Sequence, residues 1–173
     1  MTHPLAEGDT IQPAGVDMTL AVMEVPGHTL GHIAFHDTDR CWLFCGDTLF
    51  AGGCGRLFEG TPAQMFDSLQ RLASLPAKTQ VFCTHEYTLA NLTFAAAVTP
   101  DDDAVAKRLD TVRQAREAGQ ITLPSTLEEE VRSNPFLRAH EPTLKRACEA
   151  REAGTAGSDM QCFAALRRWK DNF

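Results

Sequence analysis

The sequence predicts a layered α/β body over residues 1–98 and a small helical appendage over residues 99–173. In the first part, short apolar runs that suit strands alternate with helical patterns. From Thr99 onward the pattern becomes helical and more highly charged. With 173 residues, the chain is long enough to bury a core of its own.

The elements of the first part are bounded by turn-forming residues. Helix 61–75 is the clearest, because Thr61 is a natural N-cap and Pro62 suits the first helical position. Strands are predicted over 18–25, 32–37, 41–47 and 79–86, a second helix over 88–98, and a glycine-rich loop over 51–61.

The second part is predicted to be a small helical appendage. Helix 101–119 begins with aspartates, which suit a helix N-terminus, and ends at a glycine. Helix 126–138 is interrupted at Asn134-Pro135, and a flexible turn over 153–159 leads to a final helix over 159–173.

Composition excludes several classes of protein. The formal charge of −7 argues against a nucleic-acid-binding protein. The sequence has no apolar run of about 20 residues that could span a membrane. Its N-terminus lacks the features of a signal peptide, and its six cysteines show no tight paired spacing. We therefore expect a cytoplasmic protein with reduced thiols and no nucleic-acid or membrane partner.

Three polar residues, His28, Asp47 and His85, each follow an apolar run that reads as a buried strand. Strand ends at one edge of a sheet are where α/β folds present chemistry. Histidine and aspartate are good zinc ligands, and a carboxylate can bridge two cations. The pattern indicates a metal site at this edge.

Taken singly, each residue also has a structural interpretation. A histidine at a strand end is more often a hydrogen-bonded polar group, and Asp47 could cap the loop that follows it. His28, His32 and His36 lie four apart, as in zinc-binding helices. The intervening glycines favour a turn and a strand, so we expect His32 and His36 to serve structure.

Several longer motifs resemble one family. In order, they are "PGHTLGHI", "LFCGDTLFAGGCGRLFEGT", "THEYTLANLTFA", "ITLPSTLEEEVRSNPFLR" and "LRRWKDNF". They resemble the hydroxyacylglutathione hydrolases (glyoxalase II), which are thioesterases with the metallo-β-lactamase fold. The similarity covers residues 22–173. It implies that residues 1–98 are the second half of an αββα sandwich and that residues 99–173 are a glutathione-binding domain.

The resemblance also implies a binuclear metal centre, usually of zinc, with iron or manganese possible. His28 resembles a ligand of the first metal, His85 a ligand of the second, and Asp47 the bridging carboxylate that orients the nucleophile. The family's other ligands come from an upstream H-x-H-x-D-H motif, yet only His3 precedes His28 here. We therefore expect either a fragment of a longer enzyme or a degenerate descendant, with doubtful activity in isolation.

The implied reaction is hydrolysis of S-D-lactoylglutathione to D-lactate and glutathione by a metal-bound hydroxide, in methylglyoxal detoxification. Arg56, Tyr87, Arg167 and Lys170 resemble the family's substrate-binding residues. Phe58 departs from a common tyrosine, so one hydroxyl contact is lost. Without the resemblance, "RRWK" would be interpreted as a solvated basic helix end.

Two rival functions and one interaction remain open. A sibling persulfide dioxygenase would keep the fold and change the reaction. A non-catalytic remnant of the enzyme would retain only the glutathione binding that is implied for residues 99–173. We also expect self-association, because half of a sandwich leaves an apolar sheet face uncovered.

Overall fold

The computed structural model describes residues 4–173, so His3 lies outside the described part of the chain. These residues form a six-stranded sheet, a two-stranded hairpin and six helices. The strands are β1 (Thr10–Ile11), β2 (Leu20–Glu24), β3 (Ile33–Asp37), β4 (Trp42–Gly46), β5 (Leu49–Phe50), β6 (Gly53–Cys54), β7 (Gln80–Cys83) and β8 (Ser125–Thr126). The helices are α1 (Pro62–Ala73), α2 (Thr88–Val98), α3 (Asp103–Glu117), α4 (Leu127–Ser133), α5 (Pro142–Arg151) and α6 (Asp159–Asp171).

The large sheet has the strand order β1-β2-β3-β4-β7-β8. All neighbours are antiparallel except β4 and β7, which run parallel. A parallel pair needs a long crossover, and here it consists of the β5–β6 hairpin and α1. Because β4 and β7 point the same way, the residues that follow them emerge at the same edge of the sheet.

The predicted strands and the helices α1, α3 and α6 form with shorter bounds than predicted, and α2 forms with the predicted bounds. Thr61 caps α1 in a capping box with Gln64, as the sequence indicates. The helix predicted over 126–138 ends at Ser133. The predicted glycine-rich loop 51–61 contains β6 and the turn that joins it to β5, and α5 was not predicted.

One core runs through both parts of the chain. It joins Leu43 and Val81 of the sheet to Leu69 of α1, and also to Phe136 and Phe163 from beyond residue 99. Strand β8, likewise from beyond residue 99, pairs with β7 and so extends the sheet. The helical segment therefore packs on the sheet layer, and the division into units 1–98 and 99–173 stays a proposal.

The opposite face of the sheet carries a row of aromatic rings. Trp42 and Phe44 alternate with the core residues of β4, and the ring centroids of both lie within 5.7 Å of that of Phe82. Phe35 is opposite Phe44 in the register of β3 and β4. All four rings are half-buried and lie outside the buried core. This is the apolar sheet face that the sequence predicted.

None of the helices in residues 4–173 has both the length and the apolar character needed to cross a bilayer.

Candidate metal and substrate site

His28, Asp47 and His85 meet at the edge of the sheet where β4 and β7 end. His28 follows β2 through the turn at Pro26-Gly27, while Asp47 and His85 follow β4 and β7. His28 Nε2 lies 3.8 Å from Asp47 Oδ2, and His85 Nε2 lies 3.5 Å from Asp47 Oδ1. The structure thus brings together the three side chains that the sequence selected.

Two hydrogen bonds orient this group. His28 Nδ1 lies 2.9 Å from the carbonyl oxygen of Arg56, which can only accept, so Nδ1 carries the proton. The other ring nitrogen, Nε2, therefore presents its lone pair on the side of Asp47, as a metal-binding histidine must. Thr84 Oγ1 donates to Asp47 Oδ1 at 3.0 Å and restrains the carboxylate.

His32 takes part in the structure of the loop. Its Nε2 accepts a hydrogen bond from the N–H of Asp47 at 3.0 Å, which uses the atom that a metal would need. Burial lowers the pKa of His32, and the neighbouring His28 lowers it further. His36 is buried within the sheet, and its Nε2 has no hydrogen-bond partner among the described residues.

The loop after the hairpin passes very close to Asp47. A Cβ atom placed on Gly55 would lie 1.9 Å from the carbonyl oxygen of Asp47 and 3.4 Å from Nδ1 of His28. No side chain fits in that space, because non-bonded carbon and oxygen atoms need more than 3 Å. Gly55 therefore lets the loop carrying Arg56 close over the histidine.

The three residues open into a cleft of about 730 Å³. Its lining includes all seven residues that the sequence assigned to the site, namely His28, Asp47, Arg56, His85, Tyr87, Arg167 and Lys170. The size is that of an ordinary small-molecule site.

One wall of the cleft is cationic. Arg167 Nη2 donates to Asp171 Oδ1 at 3.0 Å, and Arg56 Nε lies 3.8 Å from the same oxygen. Lys170 Nζ donates to the carbonyl oxygen of Ala90 at 3.1 Å. Burial lowers the pKa of Lys170, and the charges of Arg167 and Arg56 lower it further. Because Arg56, Arg167 and Lys170 outnumber the single carboxylate of Asp171, this wall carries a net positive charge.

Arg167 is buried, unlike a residue of a solvated helix end. It is 4% exposed, and its Nη1 donates to the carbonyl oxygen of Cys54 at 2.9 Å. Its Nε is buried and has no partner within residues 4–173. Burial raises the pKa of the Cys54 thiol, although Arg167 opposes this effect. A neutral thiol is a poor nucleophile, so Cys54 is poorly suited to covalent chemistry.

Aromatic rings form the other wall. Tyr87 is 48% exposed and stacks on His85 with ring centroids 5.0 Å apart. Phe50 packs against Tyr87 at 5.4 Å, and Phe58 lies 4.9 Å from His28. Sequence reasoning missed Phe50, Thr84 and Asp171, although Thr84 and Asp171 directly adjoin residues that it selected.

Within residues 4–173, no group of three or more His, Cys, Asp and Glu side chains is arranged to hold a metal ion. The structure instead has two pairs that share Asp47, with one histidine near each carboxylate oxygen. A carboxylate that bridges two cations uses its two oxygens in this way. The donor set thus suits a metal centre whose further ligands lie outside this group.

The chain is similar to known proteins along its length. Residues 86–173 match the model of the hydroxyacylglutathione hydrolase C-terminus, and residues 8–85 match that of the metallo-beta-lactamase superfamily. Hydroxyacylglutathione hydrolases of Nitrosomonas europaea and Pseudomonas fluorescens are 52% and 53% identical to this chain over 100% and 98% of its length. The chain spans about 65% of the length of both.

Solved structures share the fold. ETHE1 from Myxococcus xanthus has a TM-score of 0.57 and 23% identity, with 95% of this chain and 50% of that chain covered. TTHA1623 in a di-iron-bound form has a TM-score of 0.50 and 31% identity, with 78% and 48% covered. The predicted fold class is therefore confirmed, and the chain belongs to the hydroxyacylglutathione hydrolase family of the metallo-β-lactamase superfamily.

Proposed function

We propose that this chain is the metal-binding and substrate-binding part of an enzyme that hydrolyses S-D-lactoylglutathione to D-lactate and glutathione. The observation that carries the proposal is one cleft with a His28–Asp47–His85 group on one side and a cationic wall on the other. A thioester of glutathione needs both, because its carbonyl must be activated and its two carboxylates must be bound.

The family implies a metal ion, and we propose a binuclear zinc centre, with iron or manganese as alternatives. His28 and His85 would each supply Nε2 to one metal, and Asp47 would supply an oxygen to each. When bound, such metals activate water and polarise the thioester carbonyl. The hydrogen bond from His28 Nδ1 to Arg56 holds Nε2 free for this role.

The rest of the cleft would bind the glutathione part. Lys170 and Arg56 are the accessible cations, and they would attract the peptide's carboxylates. Arg167 is more deeply buried, with its Nη atoms bonded to Cys54 and Asp171, and it would add positive charge to this wall. Tyr87 offers an exposed ring and hydroxyl beside His85, where the peptide would pass.

Metal affinity depends on the number of ligands held in place, so we expect little hydrolysis by residues 1–173 alone. The described residues contribute only one metal-binding carboxylate and two histidines to this group. The remaining ligands would come from the part of the family's fold that this chain does not span. We also propose a cytoplasmic location, because all six cysteines are free thiols in the structure.

Thioester hydrolysis tests the proposal. The loss of thioester absorbance is followed for this chain and for a version extended by the upstream part of the fold, each with and without zinc. We expect activity in the extended version, abolished by Asp47→Asn but not by Asp39→Asn, which changes an exposed carboxylate outside the cleft. No hydrolysis by a zinc-loaded extended version would overturn the proposed reaction. Binding of glutathione without hydrolysis would favour the non-catalytic alternative.

A further inference from the structure

The turn between β5 and β6, residues 50–53, is held by side chains from the helical part of the chain. Glu130 of α4 accepts a hydrogen bond from the N–H of Gly52 at 2.7 Å. Asn134, which follows α4, donates to the carbonyl oxygen of Gly53 at 2.9 Å and to Glu130 at 3.0 Å. The turn therefore satisfies its backbone groups through residues about 80 positions away in the sequence.

Asn91 of α2 completes the cradle. Its Nδ2 donates to the carbonyl oxygen of Ala51 at 3.1 Å. A Cβ atom placed on Gly53 would lie 2.6 Å from this amide, so only glycine allows the approach. The backbone of the turn is thus fixed by three polar side chains from outside the hairpin.

The Glu130 carboxylate is fully buried, with an exposure of 0%. Its charge is balanced by Arg108 of α3, whose Nη2 lies 2.5 Å from Glu130 Oε1. Arg108 Nη1 also donates to Ser133 Oγ at 2.8 Å. A buried carboxylate is costly unless it is paired and hydrogen-bonded, and here both oxygens are used.

Along the chain, this turn lies between Asp47 and Arg56, which belong to the two sides of the proposed site. Asp47 precedes β5 and Arg56 follows β6, so the hairpin is the only covalent link between them. Two-residue strands are too short to hold their own geometry. Phe50, at the end of β5, also packs on the ring of Tyr87.

We propose that Glu130 and Asn134 are positioning residues that set the placement of Asp47 and Arg56 in the site. The proposal rests on the proposed function, since it assigns these residues to the same cleft. It differs from a purely structural role in one respect. Loss of the Glu130 contacts should increase local opening of the hairpin and lower the metal affinity of the site. Both effects should exceed those of a distant substitution that lowers the free energy of unfolding by the same amount.

The experiment compares Glu130→Gln with Leu144→Ala, a buried change in α5 away from the cleft. Both variants are characterised by urea unfolding, so that effects of global stability can be subtracted. Amide hydrogen exchange is then measured by NMR at Gly52, Gly53 and Gly55. We expect exchange there to rise at least about tenfold more in Glu130→Gln than in Leu144→Ala.

A second readout is zinc affinity, measured by NMR titration of the His28 and His85 rings. We expect about a tenfold loss of affinity in Glu130→Gln and no change in Leu144→Ala. Glu130→Asp keeps the charge and shortens the side chain, and it serves if Glu130→Gln does not fold. Equal exchange and equal zinc affinity in the variant and the control would overturn the positioning role. Wild-type thioester hydrolysis is scored separately, so its absence would count against the proposed reaction alone.

Discussion

Arg167→Ala tests the position of the arginine between the core and the cleft. The change removes a guanidinium that is 4% exposed and leaves the carbonyl oxygen of Cys54 without its donor. A hydrogen bond from a charged group contributes about 1.5–3 kcal/mol, and a desolvated contact of a cation with a ring, here Phe136 at 5.1 Å, about 1–2 kcal/mol. The ion pair with Asp171 adds little, because that carboxylate is 38% exposed.

Together these terms give a loss of about 3 kcal/mol in the free energy of unfolding, since neighbouring contributions do not fully add. With a urea dependence of about 2 kcal/mol/M for a domain of this size, the unfolding midpoint should fall by about 1.5 M. The assay is urea unfolding followed by circular dichroism.

Arg168→Ala is the matched control. Arg168 is the next residue of α6, and it pairs with Glu152 at 2.7 Å on the surface, where both side chains are about half exposed. An exposed ion pair contributes at most about 1 kcal/mol, so the midpoint should shift by less than about 0.5 M. Equal midpoints for Arg167→Ala and Arg168→Ala would refute the argument that Arg167 is a buried structural contact.

Three other features of the structure can be tested by substitution. In the extended enzyme, Arg167→Ala combined with Lys170→Ala should raise KM far more than it lowers kcat, and an unchanged KM would remove both residues from the substrate site. Asp102 caps α3 and pairs with Arg138; its burial raises its pKa, but hydrogen bonds from Arg138 and from backbone amides outweigh this and hold the pKa below its ordinary 3.8. Above pH 3.8, ionised Asp102 therefore stabilises the fold, and this contribution is lost as the pH falls through the lowered pKa. Between about pH 6 and pH 3, the urea midpoint of Asp102→Asn should therefore fall less than that of wild type. We also propose that two copies of this chain associate through the aromatic sheet face. Phe44→Lys should then shift the sedimentation coefficient toward that of the monomer. A wild-type chain that sediments as a monomer at high concentration would contradict this proposal.

The sequence was most informative where local rules decide the structure. Thr61 and Pro62 mark the start of α1 because capping depends on nearby residues alone. His28, Asp47 and His85 could be selected because each follows an apolar strand, and the sheet brings such ends together. Their recognition as a group also depended on the longer family motifs.

Other features depend on contacts between distant segments, which no local pattern reveals. The turn of the β5–β6 hairpin is hydrogen-bonded to Glu130 and Asn134, which lie about 80 residues later in the sequence. Helix α5 was not predicted because its sequence shows little helical periodicity of apolar residues. Only Leu144 and Cys148 of its ten residues are buried. Arg167 was assigned to substrate binding, but its hydrogen bond to Cys54, 113 residues earlier, could not be predicted from the sequence of α6.

The central claim is that His28, Asp47 and His85 form one metal-binding group. NMR of the chain labelled with ¹⁵N-histidine, titrated with zinc, tests it directly, because weak binding is enough to shift the ring nitrogens. We expect the Nε2 signals of His28 and His85 to shift together while that of His32 stays in place, and Asp47→Asn to weaken both shifts. Zinc binding that leaves His28 and His85 unperturbed, or that is unaffected by Asp47→Asn, would contradict the account.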